Sequence, residues 1–252
     1  MSWASERKAA YTLSFILAAA LIAGAIGYLS LHKPASCFDG IQNEGEQGID
    51  CGGPCARLCQ AAYAAPTVLW TQWTKERSGT YSILAYAENP NIGVGAAHAP
   101  YAFRIYDAND LLLYNASTSY TAIPADNNFA VFASGINLFD KVPARIDFSF
   151  GTDIGWARAS STEAGISVVS KTLSGEATAP KLLATLENTT LAPIANIQSI
   201  AILYDADGNA IAFSKTLTDA IAPGATADIA FTWPAPFSAA VYKIDILSQV
   251  LP

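Results

Sequence analysis

The stretch "AILYDADG", Ala201–Gly208, decides the fold, because the chain carries an earlier version of it, "FRIYDAND", Phe103–Asp110. In both, alternating apolar residues lead into Tyr-Asp, a short polar turn follows, and the chain returns through another apolar run. Ile200, Ile202 and Tyr204 fall two apart, so on an extended strand they share one sheet face. Asp207-Gly208 accepts the positive φ that a tight hairpin needs, and Asn109-Asp110 is a weaker form of the same signal.

Three more blocks recur in the same order. "ILAYAENPN" (Ile83–Asn91) matches "LLATLENTT" (Leu182–Thr190), "AIPADNNFAVF" (Ala122–Phe132) matches "IAPGATADIAF" (Ile221–Phe231), and "RIDFSF" (Arg145–Phe150) matches "KIDILS" (Lys243–Ser248). The offset is steady: 205 − 107 = 98, 188 − 89 = 99 and 245 − 147 = 98. Four blocks at one offset predict two tandem copies of one domain. Past Ala62 the chain alternates short runs of Val, Ile, Tyr, Phe and Trp with Gly, Pro, Asn and Asp, a succession of strands and turns. Each copy has about 90–100 residues, the size of an immunoglobulin-like sandwich. The expected fold is mainly β, with two tandem immunoglobulin-like β-sandwiches at 63–160 and 161–252.

What precedes them is different. From Ala9 to Leu31 the chain has no charged residue, and at about 1.5 Å rise per residue it is long enough for a hydrocarbon core of about 30 Å. Tyr11 and Tyr28 sit near its ends, where amphipathic rings favour the interface, and Arg7 and Lys8 before it favour an inside N-terminus. The expectation is a short cytoplasmic stub at 1–8, a transmembrane helix at 9–31 and an extracytoplasmic remainder. A cleaved signal peptide fits less well, because the run is long and no small-residue cleavage site follows it. Lipidation at Cys37 is disfavoured by Pro34, His32 and Lys33.

The segment 32–62 holds all four cysteines, Cys37, Cys51, Cys55 and Cys59. Outside the membrane they meet an oxidising compartment. Two disulfides are expected, with three pairings open. The C-x13-C-x3-C-x3-C spacing fits zinc poorly, and no redox C-x-x-C occurs. Asp39, Asn43, Glu46 and Asp50 lie among glycines in the same segment. As hard oxygen ligands they suit calcium; as Asx-type residues they simply form turns, which is the favoured reading. Calcium is thus the one cofactor in question.

The form C-x-D-G-I-x-N-x-x-E-x-G-x-D-C-G-G-x-C-x-x-x-C, filled here by Cys37, Asp39, Gly40, Ile41, Asn43, Glu46, Gly48, Asp50, Cys51, Gly52, Gly53, Cys55 and Cys59, resembles a small cysteine-rich module of bacterial and other surface proteins. Phe103, Ile105, Tyr106 and Asp107, with Leu203, Tyr204 and Asp205 in the second copy, resemble the FxLYD family and the related late-embryogenesis type-2 domains. Glu88-Asn89, Glu187-Asn188 and Pro223-Gly224 fit the same group. These resemblances imply a β-sandwich and an extracytoplasmic position, and no particular ligand.

The bulk composition agrees. Charged residues are 14% and apolar ones 52%, against about one quarter charged in an average soluble domain, and this ample apolar material argues against disorder. A net charge of -7 argues against nucleic acid. Only two histidines, His32 and His98, occur, neither near a nucleophile motif. Asp107 and Asp205 read as turn caps, and Trp70, Trp73, Trp156 and Trp233 as packing rather than a sugar platform. Asn115 and Asn188 head glycosylation sequons. The expected function is a membrane-anchored, non-enzymatic surface protein whose sandwiches serve as a stalk or bind a protein or glycan. The alternatives are an accessory subunit of a membrane complex and, least favoured, a secreted hydrolase.

Overall fold

The computed structural model describes residues 3–31, 36–43, 45–125, 127–158 and 165–251. The chain begins with one helix, α1 (Trp3–Leu31). Its window Ala10–Tyr28 is long and apolar enough to cross a membrane, and none of that window is buried by the rest of the chain. The Thr12 and Ser14 hydroxyls donate back to the carbonyls of Lys8 and Ala10, which satisfies these polar groups within the helix. The helix starts before the expected span at 9–31. Residues of the expected stub continue it, and the Arg7 guanidinium lies 3.9 Å from the Trp3 ring centroid.

The chain divides into two compact units, Met1–Cys55 and Ala56–Pro252. Ala56–Ala62, expected with the cysteine segment, belongs to the second unit. Leu58 is buried there and its N–H donates to the Trp156 carbonyl, while Arg57 pairs with Asp153.

The second unit is built of strands: β1 (Thr67–Arg77), β2 (Thr80–Glu88), β3 (Val94–Tyr106), β4 (Leu112–Ile123), β5 (Asn128–Asn137), β6 (Arg145–Phe150), β7 (Ala157–Arg158), β8 (Ile166–Ser174), β9 (Lys181–Asn188), β10 (Ile194–Tyr204), β11 (Ala210–Ile221), β12 (Thr226–Thr232) and β13 (Lys243–Val250). They form antiparallel sheets in the orders β1-β2-β5, β4-β3-β6 (with β7 beside β3), β8-β9-β12 and β11-β10-β13. The strand order of the first two sheets therefore recurs in the last two. The expected division at 160/161 falls outside the described residues.

Three apolar clusters hold these sheets. One draws on residues 58–156, including Ile83, Phe103, Phe129 and Trp156. A second draws on residues 166–250, including Leu182, Leu186, Leu203 and Phe231. The third joins the two regions: Leu84 and Ala130 meet Ile200, Ile202, Tyr204 and Phe213.

The third cluster explains why β2 and β10 each carry a stretch covered on both faces. On β2, Tyr81, Ile83, Ala85 and Ala87 face the first cluster, and the alternate residues Leu84 and Tyr86 face the third. On β10, Ala201 and Leu203 face the second cluster, and Ile200, Ile202 and Tyr204 face the third. A strand covered on both faces becomes a continuous apolar run, here "SILAYA" and "SIAILY".

Candidate functional site

The cysteine segment is oxidised. Cys37 bonds to Cys55, Cys51 and Cys59 are disulfide-bonded as well, and no cysteine is free. Glu46 Oε1 lies 3.1 Å from Cys55 Sγ, but a disulfide sulfur has no proton, so this is a contact and not a hydrogen bond. Cys37, Glu46 and Cys55 place ligand atoms within 4.8 Å of one another, yet neither sulfur is a thiolate able to hold a metal.

The four candidate calcium ligands are engaged locally. Asp50 accepts from the N–H groups of Asp39 and Gly40. Asp39 accepts from Ser36 and Ile41 N–H and from Asn43 Nδ2. Buried Glu46 accepts from Asn43 and Asp50 N–H. These carboxylates thus act as turn caps, replacing a hydrophobic core that the segment lacks. Asn43 Oδ1 is buried with no hydrogen-bond partner among the described residues. The glycine pair has a steric cause: a Cβ on Gly53, at φ +58, would stand 2.2 Å from the Gly45 carbonyl oxygen.

The repeated acids also cap turns. Asp107 Oδ1 accepts from Asn109 and Leu111 N–H, and Asp205 Oδ1 accepts from Asp207 and Asn209 N–H. The Asn209 side chain, first, and these backbone donors hold the Asp205 carboxyl below its ordinary pKa. Each loop needs one left-handed residue, supplied by Gly208 in one and by Asp110 in the other, which is why the Asn109-Asp110 signal is weaker.

Asn89 and Asn188 share a different role. Both are buried. Asn89 Nδ2 donates to the carbonyls of Val94 and Pro124, and Asn188 Nδ2 to those of Ala192 and Ile221. With both amide hydrogens committed and 0% of its surface exposed, Asn188 offers no glycosylation site in the folded chain, whereas Asn115 is exposed on β4.

His98 lies on β3, not in a loop, with its ring 5.3 Å from that of Tyr120. The register shift between Ala96 and Ala99 breaks the alternation there and hides the strand from a sequence reading. His32 is outside the described residues. The tryptophans pack: Trp156 is fully buried, Trp70 stacks on Tyr86 and meets Tyr204 edge-on, and Trp73 meets Tyr81 edge-on.

Beside the third cluster lies a cleft of about 520 Å³ between strands of the two regions. Its walls include Trp73, Phe132, Phe213, Trp233 and Phe237. Trp233 Nε1 donates to the Phe213 carbonyl, and its ring meets Phe237 edge-on, 5.2 Å between centroids. Charged residues on the lining are Lys75, Glu76 and Lys215. Glu76 is fixed by the Ser82 hydroxyl and by Gly135 N–H. Lys215 Nζ sits 5.5 Å from the Phe132 ring centroid. The lysine as a whole is solvent-exposed, yet desolvation beside the ring draws its pKa below the ordinary value.

No protein-family model and no curated protein sequence matches the chain. Among solved structures, a red sea bream transglutaminase aligns over 74% of this chain and 31% of its own, at 12% identity and a TM-score of 0.22. A putative β-galactosidase from Bacteroides fragilis aligns over 69% of this chain and 33% of its own, at 10% identity and a TM-score of 0.19. The chain spans about a third of the length of either.

The cleft was not legible in the sequence. Glu76, Phe132, Lys215 and Trp233 come from four strand regions. The nearest signal was "TWPAPFS", Thr232–Ser238, a proline-rich apolar stretch that ends β12 and forms one wall.

Proposed function

We propose that this is a membrane-anchored, non-enzymatic extracytoplasmic protein. Two immunoglobulin-like sandwiches, copies of one domain, form a rigid interaction module held at the membrane by α1. The observation that carries the reading is the third apolar cluster. It buries the outer face of β2 against the outer face of β10, so the two halves move as one body rather than as beads on a linker.

Matched positions support the two-copy reading. Ile202 pairs with Phe213 and Asp245, while Arg104, 98 residues earlier, pairs with Asn115 and Asp147. Leu84 pairs with Phe132, and its counterpart Leu183 with Ala230. Ile202, Phe213, Leu84 and Phe132 thus stand where the halves meet, while their counterparts Arg104, Asn115, Leu183 and Ala230 are exposed. A head-to-tail contact between like units is open-ended unless its free ends are made unlike the buried ones. Arg104 and Asn115 make the free outer face of the first half unlike the buried outer face of the second.

Supporting the anchor are the apolar window of α1, a character it shares with signal sequences, and the oxidised cysteines, which suit an oxidising compartment. A tag after Pro252 tests the topology. It is expected to be cleaved by protease added to intact cells, and the chain is expected to need detergent for extraction. A tag protected in intact cells, or a chain released by alkaline wash, overturns the reading.

A further inference from the structure

We propose that the cleft beside the third cluster is a binding site for an acidic saccharide, with sugar rings against its aromatic walls and a sugar carboxylate at Lys215. The inference rests on reading residues 56–252 as an interaction module, and it names the ligand.

Charge comes first. The whole chain is at -7, yet the cleft lining carries two lysines and one glutamate. The glutamate is already engaged by Ser82 and Gly135. No carboxylate lies within 4.0 Å of Lys75 or Lys215 among the described residues, whereas Arg57, Arg145 and Lys243 all have acidic partners. A locally basic cleft on an acidic protein favours an anion there, while the acidic remainder of the surface repels it. Lys215 stands beside the Phe132 ring, where its ammonium is less well solvated, and a carboxylate there gains more than it would in open water.

The rest of the lining sets the body of the ligand. Aromatic rings present broad apolar faces with few rotatable bonds, and Trp73 and Trp233 are held in place by Tyr81 and by the Phe213 carbonyl. The lining also includes the hydroxyl residues Ser134, Ser214, Thr232 and Ser238. Apolar faces together with hydroxyls suit a sugar ring, which has C–H faces and a hydroxyl edge; a purely apolar carboxylate leaves the hydroxyls unused. The volume of about 520 Å³ falls within the range of about 300–1,000 Å³ for small-ligand sites.

The test is a titration of the full chain in detergent with tetragalacturonic acid, followed by tryptophan fluorescence and calorimetry. Two comparison ligands are its fully methyl-esterified form and naphthoic acid. The acid is expected to bind and to shift the fluorescence. The ester is expected to bind at least about tenfold more weakly, the scale of a hydrogen bond to a charged group, and naphthoic acid likewise. Lys215→Gln, a surface change that leaves the fold intact, is expected to reduce acid binding to the level of the ester. Equal binding of acid and ester, tighter binding of naphthoic acid, an unaffected Lys215→Gln variant, or no binding at all overturns the proposal. A thermal scan of each sample separates this from failure of the module itself: one cooperative transition without binding removes the ligand assignment and leaves the rigid module standing.

Discussion

Replacing Ile202 by arginine, the residue found at the matching position 104, tests the coupling of the halves. Ile202 is 0% exposed and packs among Leu84, Ala130 and Phe213. Truncation to alanine at such a site costs about 2–5 kcal/mol, as transfer plus cavity. The β-rich unit has 252 − 56 + 1 = 197 residues, and for that size each kcal/mol lowers Tm by about 2–4 °C. Ile202→Ala is therefore expected to lower Tm by about 4–20 °C. Ile202→Arg is more informative, because an unpaired guanidinium in that cluster is intolerable, whereas an arginine on an exposed strand face is not. The junction opens while each half keeps its own core. Calorimetry of the full chain in detergent is expected to show one transition for the wild type and two for Ile202→Arg. Trp70, stacked on Tyr86 at the junction, is expected to red-shift before global unfolding. Leu203→Ala is the control: Leu203, the neighbour of Ile202, faces the second cluster, so its truncation lowers Tm without splitting the transition. A single transition within about 2 °C of wild type for Ile202→Arg would falsify the coupled-halves reading.

Further outcomes are expected. Asn188→Ala leaves the Ala192 and Ile221 carbonyls without their donor, costing about 1–3 kcal/mol for each left unsatisfied; chemical denaturation measures this, and mass spectrometry after expression in a glycosylating host should find Asn188 unmodified. Removing the Cys37–Cys55 bridge, which spans 18 residues, costs about 3 kcal/mol in the chain-entropy model, read as earlier proteolysis at 36–55. In the same assay millimolar calcium should give no protection, and protection would support Asp39, Asn43, Glu46 and Asp50 as ligands. NMR titration should place the Asp205 midpoint below the ordinary carboxylate range, and Asn209→Ala should raise it, since the Asn209 side chain is the leading cause of the shift. The sign follows: a depressed folded pKa contributes stability above the unfolded value, and that contribution disappears as pH falls through the folded one.

Much of the local structure is legible in the sequence. The helix announced itself through an uncharged run, and the hairpins through Tyr-Asp followed by turn residues. The oxidised state of Cys37, Cys51, Cys55 and Cys59 followed from their placement after an apolar helix. Asp107 and Asp205 behave as the turn caps their contexts predict. The helix and turn readings succeed because they depend on contiguous local sequence, and the cysteine reading because it follows from the helix.

The alternation in "SIAILY" fixes that Ile200, Ile202 and Tyr204 share a face and that Ala201 and Leu203 share the other. It does not fix what covers either face. Tertiary structure assigned one face to the second cluster and the other to the third. It buried Asn188 inside its sequon, carried His98 onto a strand through a register shift, and drew Lys215, Phe132 and Trp233 to one cleft. The physical reason is the two-residue period of the strand: it sorts side chains into two sets from local sequence alone, while the choice of partner for each set depends on packing between residues far apart in the chain.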